Sequence, residues 1–399
     1  MRIAIFSNTY WPTVNGVAIS IANLRRGLQD LGHEAYVFAP APGGFDPSQD
    51  DPGVIRFPAI AAPVEADYQI AMPCSGAVLR TLRQVDFDVV HTEHPLWVGS
   101  WGLWYARCTR RPLVTTIHTQ YEIYSNLIPL PNALVDAYLR FQVTAYCNKC
   151  HLVTTPAASA RQRLLAQGVT TPVEVVFNPT ELSACFQAQG TDVREALGCA
   201  AEDPLIGYVG RLAPEKGLPA LITAAGIILD RLPRAMMVLI GDGPSRSKLE
   251  AMVADLPSAS RIRFVGQVPH AQVPEYQAAL DLFMTGSTME VQPLSFAEAM
   301  ATGTPIVAFD VPGNNDMIQD GMTGRLASPE RGPEGLAEAA LAVLQDPATL
   351  AQLSANAREW SRRYDLPQVV HTMVAVYERA SEAAAGRRRR RGRRGECAT

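Results

Sequence analysis

Ile3-Ala4-Ile5-Phe6 is a short apolar run closed by a polar loop, and an amphipathic segment follows it at Val17–Leu31. Ile21, Leu24, Leu28 and Leu31 recur there at three- and four-residue spacing, which predicts a helix with one buried face. Gly32 supplies a stop, and Glu34–Ala39 reads as the next strand. Strand, covering helix, strand is the unit of a parallel sheet, because parallel strands need a long crossover between them. Further strands are expected at Asp88–Thr92, Pro112–His118, His151–Thr155 and Val173–Phe177. The alternation then stops and restarts. Strands are expected at Leu205–Gly210, Ala235–Gly241, Arg261–Val265, Leu280–Thr285 and Pro305–Phe309, with helices at Leu218–Leu232, Ser245–Ala254 and Phe296–Ala301.

A pattern that runs twice in 399 residues predicts two α/β domains, each a doubly wound parallel sheet. The expected boundaries are 1–180 for the first and 204–364 for the second. Between them, 181–203 is rich in Pro, Ser, Gly and Ala and reads as a linker with a short helix Asp192–Leu197. A terminal helix is expected over 365–384, and 386–399 has no apolar pattern and should lack regular structure. Sheets of this kind bind ligands at the carboxyl ends of their strands, so a cleft between the two is the expected site.

Charge and cysteine content narrow the classes further. The net charge of −4 is unevenly spread: Arg387–Arg394 carries seven arginines, and without that segment the body is strongly acidic. Residues 1–185 are nearly neutral and 186–386 are acidic. An acidic body disfavours a specific nucleic-acid partner, although the arginine run leaves nucleic-acid binding as a lesser alternative. Apolar stretches are too short for a membrane-spanning helix, and the N-terminus reads as a strand rather than a leader. Seven scattered cysteines suit reduced thiols in a cytoplasmic protein. Cys147-Asn148-Lys149-Cys150-His151 has the spacing of a haem attachment, but a second ligand pair is not visible.

Four segments could carry chemistry. In Glu290-Val291-Gln292-Pro293-Leu294-Ser295-Phe296-Ala297-Glu298, one carboxylate falls in a loop and the other in the first turns of a helix. Such carboxylates can accept from sugar hydroxyls, and the helix start can meet an anion. In Gly210-Arg211-Leu212-Ala213-Pro214-Glu215-Lys216-Gly217, an Arg and a Lys flank a strand-end turn and could neutralise a diphosphate. Asn15-Gly16 before the first helix, and Asp242 in Gly241-Asp242-Gly243-Pro244, mark similar turns where backbone can approach phosphate. No G-x-G-x-x-G fingerprint is present, which disfavours a nicotinamide enzyme. His118, in Thr116-Ile117-His118-Thr119-Gln120-Tyr121-Glu122, ends a buried strand and should face the cleft. Asp86-Phe87-Asp88 could hold a divalent cation, but it opens its strand at the end away from the cleft, so no metal site is expected.

In this order, the segments resemble the retaining glycosyltransferases of family four, which have the GT-B fold. The resemblance implies that Arg211 and Lys216 bind the donor diphosphate, with Asn15 and Gly16 helping through backbone. It implies that Glu298 holds ribose hydroxyls, Glu290 holds the transferred sugar, Val268 lies by the base, Leu294 and Ser295 offer amides, and Asp242 belongs to the donor set. His118 and Glu290 become the candidate catalytic residues. Pro293 departs from the glycine usual there, which removes one N–H and bears on sugar preference. The last helix would cross back to the first domain.

His91-Thr92-Glu93-His94-Pro95 and Thr116–Tyr124 look like the branch that glycosylates diacylglycerol and related lipids. That resemblance implies a nucleotide-diphosphate sugar as donor, UDP-glucose or UDP-galactose foremost, and no cofactor. It implies a lipid acceptor such as diacylglycerol or glycosyl-diacylglycerol, with Tyr121 and Glu122 on the acceptor side. Phosphatidylinositol or a soluble sugar is the alternative acceptor. An anionic membrane would be met by Ile128 and Leu130 of an apolar loop and by Arg387, Arg388, Arg389, Arg390 and Arg391, placing the enzyme peripherally on the inner face of the cell membrane. Trp97, Trp101 and Trp104 fall on one helical face and suit either a core or a bilayer interface.

Overall fold

The computed structural model describes residues 1–13, 15–41, 43, 45–46, 48, 50–61, 69–72, 75–118 and 131–396. The chain forms two compact units. Unit 1 holds Met1–Pro179 with Leu366–Thr399, and unit 2 holds Thr180–Asp365.

The strands of unit 1 are β1 (Arg2–Phe6), β2 (Glu34–Pro40), β3 (Val54–Phe57), β4 (Ala59–Ala61), β5 (Gln69–Ala71), β6 (Val89–Thr92), β7 (Leu113–Thr116), β8 (Leu152–Thr155) and β9 (Val173–Val175). Seven of them form one sheet in the order β3-β2-β1-β6-β7-β8-β9, and β4 and β5 pair separately as an antiparallel ribbon. Every pairing in the large sheet is parallel. The helices cover both faces. On one, Phe6, Phe38, Phe57 and Phe87 pack with Val98, Tyr105 and Tyr146. On the other, Ile3, Ile5 and Val37 pack with Leu24 and Leu28 of the helix Gly16–Asp30.

Unit 2 repeats the plan with β10 (Leu205–Val209), β11 (Met236–Ile240), β12 (Ile262–Gly266), β13 (Leu282–Met284), β14 (Ile306–Phe309) and β15 (Gly324–Ala327). The order is β12-β11-β10-β13-β14-β15, again all parallel. In both sheets the winding reverses beside the first strand, between β1 and β6 and between β10 and β13. That reversal opens a crevice at the carboxyl ends of those strands.

Three expectations differ from the structure. The stretch 181–203 is part of unit 2: Leu182 and Cys185 are buried, and Phe186 lies under the guanidinium groups of Arg358 and Arg362. Its composition signals loops, but its few apolar residues suffice to anchor it. The terminal helix does not stop near 384. It runs from Leu366 to Glu396, through the arginine segment, because alanines and arginines are good helix formers once a helix has been nucleated by packing. It belongs to unit 1, where Val369, Val370, Met373, Val376 and Tyr377 are buried in the core with Ile3 and Ile5. Lastly, the three tryptophans do not share one environment. Trp97 precedes the helix Val98–Thr109 and is 55% exposed, Trp101 packs on Phe57, and Trp104 is 48% exposed.

Candidate functional site

At the carboxyl edge of β6 and β7 in unit 1, burial and charge are combined. His91, Glu93, His94, Thr116 and His118 are all buried. His118 Nε2 lies 2.7 Å from Glu93 Oε2, and His91 Nδ1 lies 3.5 Å from Glu93 Oε1. Burial penalises the Glu93 charge, yet His91, the hydrogen bond with His118 and the neighbouring His94 together bring it down to about 2. An ionised Glu93 accepts, so His118 Nε2 carries the hydrogen. His118 Nδ1 is buried without a partner among the described residues. His91 also meets Tyr377 of the helix Leu366–Glu396, Nδ1 to Oη 2.9 Å, and Thr116, Nε2 to Oγ1 2.7 Å. Burial pushes His91 down, and takes His94 down to about 3, so both are neutral at neutral pH.

Asn15 caps the helix Gly16–Asp30: its Oδ1 accepts from Ala18 N at 2.9 Å, and its Nδ2 donates to Thr9. Gly16 faces open space, so room remains for a ligand at this helix start. Tyr121, Glu122, Ile128 and Leu130 lie outside the described residues. Arg387 donates to Cys150 O at 3.2 Å, and for Arg388, Arg389, Arg390 and Arg391 only the helical backbone is described.

In unit 2 the crevice between β10 and β13 brings two of the expected segments together. Lys216 Nζ donates to Glu290 Oε1 at 2.8 Å. Arg211, half exposed on the same loop, pairs with Glu215 at 2.6 Å. The loops meet backbone to backbone. Gly217 has φ +60°, and a Cβ there would sit 1.9 Å from Gly286 O. A Cβ on Gly313, at φ +92°, would sit 2.2 Å from Glu290 O. Fully buried Asn314 donates to both Ser287 O and Phe309 O at 3.0 Å, which fixes the loop leading to Glu290.

Leu294 and Ser295 open the helix Leu294–Thr302, with Pro293 at its N-cap position and no side-chain cap. First-turn amides left without a cap are available to an anion. Glu298 sits one turn on. Desolvation raises it above the usual carboxylate range, against a smaller opposing pull from His270 and a 3.4 Å contact from Gln277 Nε2. Asp242 accepts from Gly243 N at 2.7 Å and pairs with Arg246, which places its carboxylate in the turn itself. Val268 follows β12 on the neighbouring loop.

The other motifs are structural. Cys147 and Cys150 are buried, and burial pushes Cys147 up to about 12. His151 Nδ1 accepts from Leu113 N at 3.0 Å. Asp88 accepts from Arg2 N at 2.7 Å, and Asp86 pairs with Arg111. Among the described residues no group of three or more His, Cys, Asp or Glu side chains is placed to hold a metal ion. The network of Glu93, His91 and Tyr377 carries no role in the sequence reading. Its signal was His91-Thr92-Glu93-His94 ending a strand, where three titratable groups in four residues must be buried together.

Two Rossmann-like parallel sheets in series, each with its loops gathered at the winding reversal, define the GT-B class of glycosyltransferase. The second half matches the model for "Glycosyl transferases group 1" over residues 191–360, and the first matches "Glycosyltransferase Family 4" over 14–184. The 2-deoxystreptamine glucosyltransferase of Streptomyces kanamyceticus is 31% identical over 75% of this chain and 79% of its own. The chain belongs to glycosyltransferase family four. The alpha-monoglucosyldiacylglycerol synthase of Acholeplasma laidlawii is 29% identical over 91% of this chain and 93% of its own. A GDP-mannose-dependent alpha-mannosyltransferase of Mycobacterium tuberculosis is 28% identical over 97% and 98%. Among solved structures, Anabaena Alr3699/HepE in complex with UDP has the same fold, with a TM-score of 0.77 at 21% identity over 95% of this chain and all of its own.

Proposed function

We propose that this glycosyltransferase moves a hexose, with retention of anomeric configuration, from a UDP-hexose to a membrane lipid such as diacylglycerol or glycosyl-diacylglycerol. The observation that carries the donor half is the Lys216–Glu290 pair in the crevice between β10 and β13. A cation and a carboxylate in contact suit a substrate with a diphosphate at one end and hydroxyls at the other. Lys216 and Arg211 take the diphosphate, and Leu294 and Ser295 add amides to it. Glu290 accepts from the transferred sugar, Glu298 accepts from ribose, Val268 borders the base, and Asp242 shapes the turn beside them. Two cations and a helix start supply the positive charge, so the reaction needs no metal. Pro293 removes one amide from this set and bears on which hexose is taken.

In the proposed reaction the C1–diphosphate bond breaks while the acceptor hydroxyl attacks from the same face, and the departing phosphate oxygen takes the hydroxyl proton. The charge that develops is held electrostatically, with His118 beside the sugar and Asn15 and Gly16 offering backbone to phosphate. Tyr121 and Glu122 remain the proposed acceptor contacts.

The lipid half draws support from the surface of unit 1. Leu134, Tyr138 and Phe141, at i, i+4 and i+7 of the helix Asn132–Cys147, are 67%, 60% and 68% exposed. A stripe of this kind suits a bilayer interface. Among the described residues no helix is long and apolar enough to cross a membrane. Attachment is therefore proposed as peripheral, on the cytoplasmic face, with Ile128, Leu130 and the arginines Arg387–Arg391 as further contacts.

The test is turnover by the full chain with UDP-glucose, UDP-galactose and GDP-mannose, each offered with diacylglycerol in anionic vesicles and with soluble sugar or inositol acceptors. An α-linked glycolipid formed from a UDP-hexose is expected. Transfer only to a soluble acceptor, or only from GDP-mannose, refutes the reading.

A further inference from the structure

Glu93 is fully buried, carries a charge, and has no part in donor or acceptor binding as proposed above. Placing an anion there costs free energy unless the charge is used or paired. Its hydrogen-bond partner is His118 Nε2 at 2.7 Å, and His91 Nδ1 stands 3.5 Å from its other oxygen. His91 is itself held from two other elements, by Tyr377 Oη at 2.9 Å and by Thr116 Oγ1 at 2.7 Å. Thr116 Oγ1 continues to Thr154 Oγ1 at 2.7 Å. The third imidazole, His94, accepts from Asn8 N and stays neutral.

Resting on the reading of His118 as the residue beside the transferred sugar, we propose that Glu93 is its positioning residue. The carboxylate holds the Nε2–H tautomer and leaves Nδ1 as the lone pair that meets substrate. Tyr377 holds the ring of His91, which stands against Glu93.

The physical reason lies in the two nitrogens. A neutral imidazole donates from one and accepts at the other, and a hydrogen bond to the first decides the role of the second. Glu93 takes the donor. Nδ1 of His118 is then a buried acceptor with no protein partner among the described residues. Such an atom is costly unless something completes it, and a sugar or acceptor hydroxyl has the matching donor. Were the tautomer reversed, Nδ1–H would donate instead, and a hydroxyl would have to turn its oxygen to the ring. Glu93 thus selects which way a substrate hydroxyl points. Tyr377 extends the control to the last helix of the chain. Its phenol stays protonated, since burial pushes it far up and the Glu93 charge adds to this.

The test uses the full chain with its seven histidines labelled with ¹⁵N, with His118→Gln serving to assign the His118 signal. Long-range proton–nitrogen spectra report which ring nitrogen carries the hydrogen. The wild-type protein is expected to show Nε2–H at His118, and Glu93→Gln a mixture of tautomers. In turnover, Glu93→Gln should lower kcat by about 10–100-fold and leave KM for the UDP-hexose within about twofold. Tyr377→Phe keeps the ring packing and should give a smaller loss of kcat with the same tautomer mixing. A thermal melt confirms that each variant is folded. An unchanged His118 tautomer in Glu93→Gln, or an unchanged kcat, overturns the proposal. If the wild-type chain transfers no hexose, the functional reading fails instead, and the spectra, which need no substrate, still decide whether Glu93 sets the tautomer.

Discussion

β6 and β7 of unit 1 end in His91, Glu93, Thr116 and His118, all withdrawn from solvent. In unit 2, Gly217 of the loop after β10 lies against Gly286 of the loop after β13, with Arg211 and Glu215 standing half exposed nearby. The strand order is the same in both sheets, so the winding does not cause the difference. Unit 1 invests its strand ends in side chains whose protonation and tautomer matter. Unit 2 invests them in backbone geometry that brings the loops of Lys216 and Glu290 together. In the proposed function, one sheet topology thus serves once to orient and once to grip.

The comparison breaks most readily at Gly217. Alanine there meets Gly286 O in a left-handed conformation, and should cost unit 2 about 3 kcal/mol and remove UDP binding. Gly16→Ala, with nothing near its Cβ, should change stability by less than about 0.5 kcal/mol. Urea unfolding of both variants decides this, and equal losses would erase the contrast.

A second division is between grip and chemistry. Lys216→Ala should weaken UDP binding by about 10–100-fold, as calorimetry would show, because it deletes a charge-assisted contact. His118→Ala should leave UDP affinity unchanged and lower turnover. Swapped outcomes would reverse the roles of the two units.

Acid should separate the units too. Below 6.5 the unfolded chain protonates His94, while folded unit 1, with His94 down at about 3, does not, and burial shifts His91 in the same direction. Stability therefore falls as pH drops, by about 1.4 kcal/mol per pH unit for His94 alone, and below 4.5 Glu93 adds to the loss. Glu298 works in the opposite sense: its raised value lets folded unit 2 keep a proton that the unfolded chain releases above 4.5. That contribution is present in acid and lost as pH rises through the folded value. Four of the five tryptophans lie in unit 1, so fluorescence of a Trp360→Phe variant follows that unit. Its urea midpoint should fall between pH 7 and pH 5.

The smallest expected effect on folding comes from the surface. Phe141→Ser should alter stability by less than about 0.5 kcal/mol and still reduce sedimentation with anionic vesicles. Unaltered sedimentation would remove the helix Asn132–Cys147 from the proposed membrane contact.

Much of this was legible in the sequence, for identifiable reasons. Strands such as Ile3–Phe6 and Leu205–Val209 are apolar throughout because parallel strands are buried on both faces, so they stand out. β15, Gly324–Ala327, did not, since an edge strand carrying Arg325 lacks that signature. Val54–Phe57, the opposite edge of its own sheet, lacks it for the same reason, with Arg56 inside it. At the site, Lys216 and Glu290 were singled out separately, but their contact spans 74 positions and needs the sheet to close. The His91–Tyr377 contact spans 286 and was beyond reach, because nothing local marks Tyr377 as more than a core aromatic.

The helix Leu366–Glu396 carries a consequence for synthesis. Its residues Val369, Val370, Met373, Val376 and Tyr377 complete the core around Ile3 and Ile5, which are made long before them. Unit 2 is contiguous and can close as soon as Asp365 has been made. Unit 1 must wait, with part of one face of its sheet uncovered, until this helix has followed unit 2. The bond between Tyr377 and His91 then forms only after unit 2 has been made, so a chain cut short after Asp365 would hold the loops of Lys216 and Glu290 and lack the anchor of its histidine cluster.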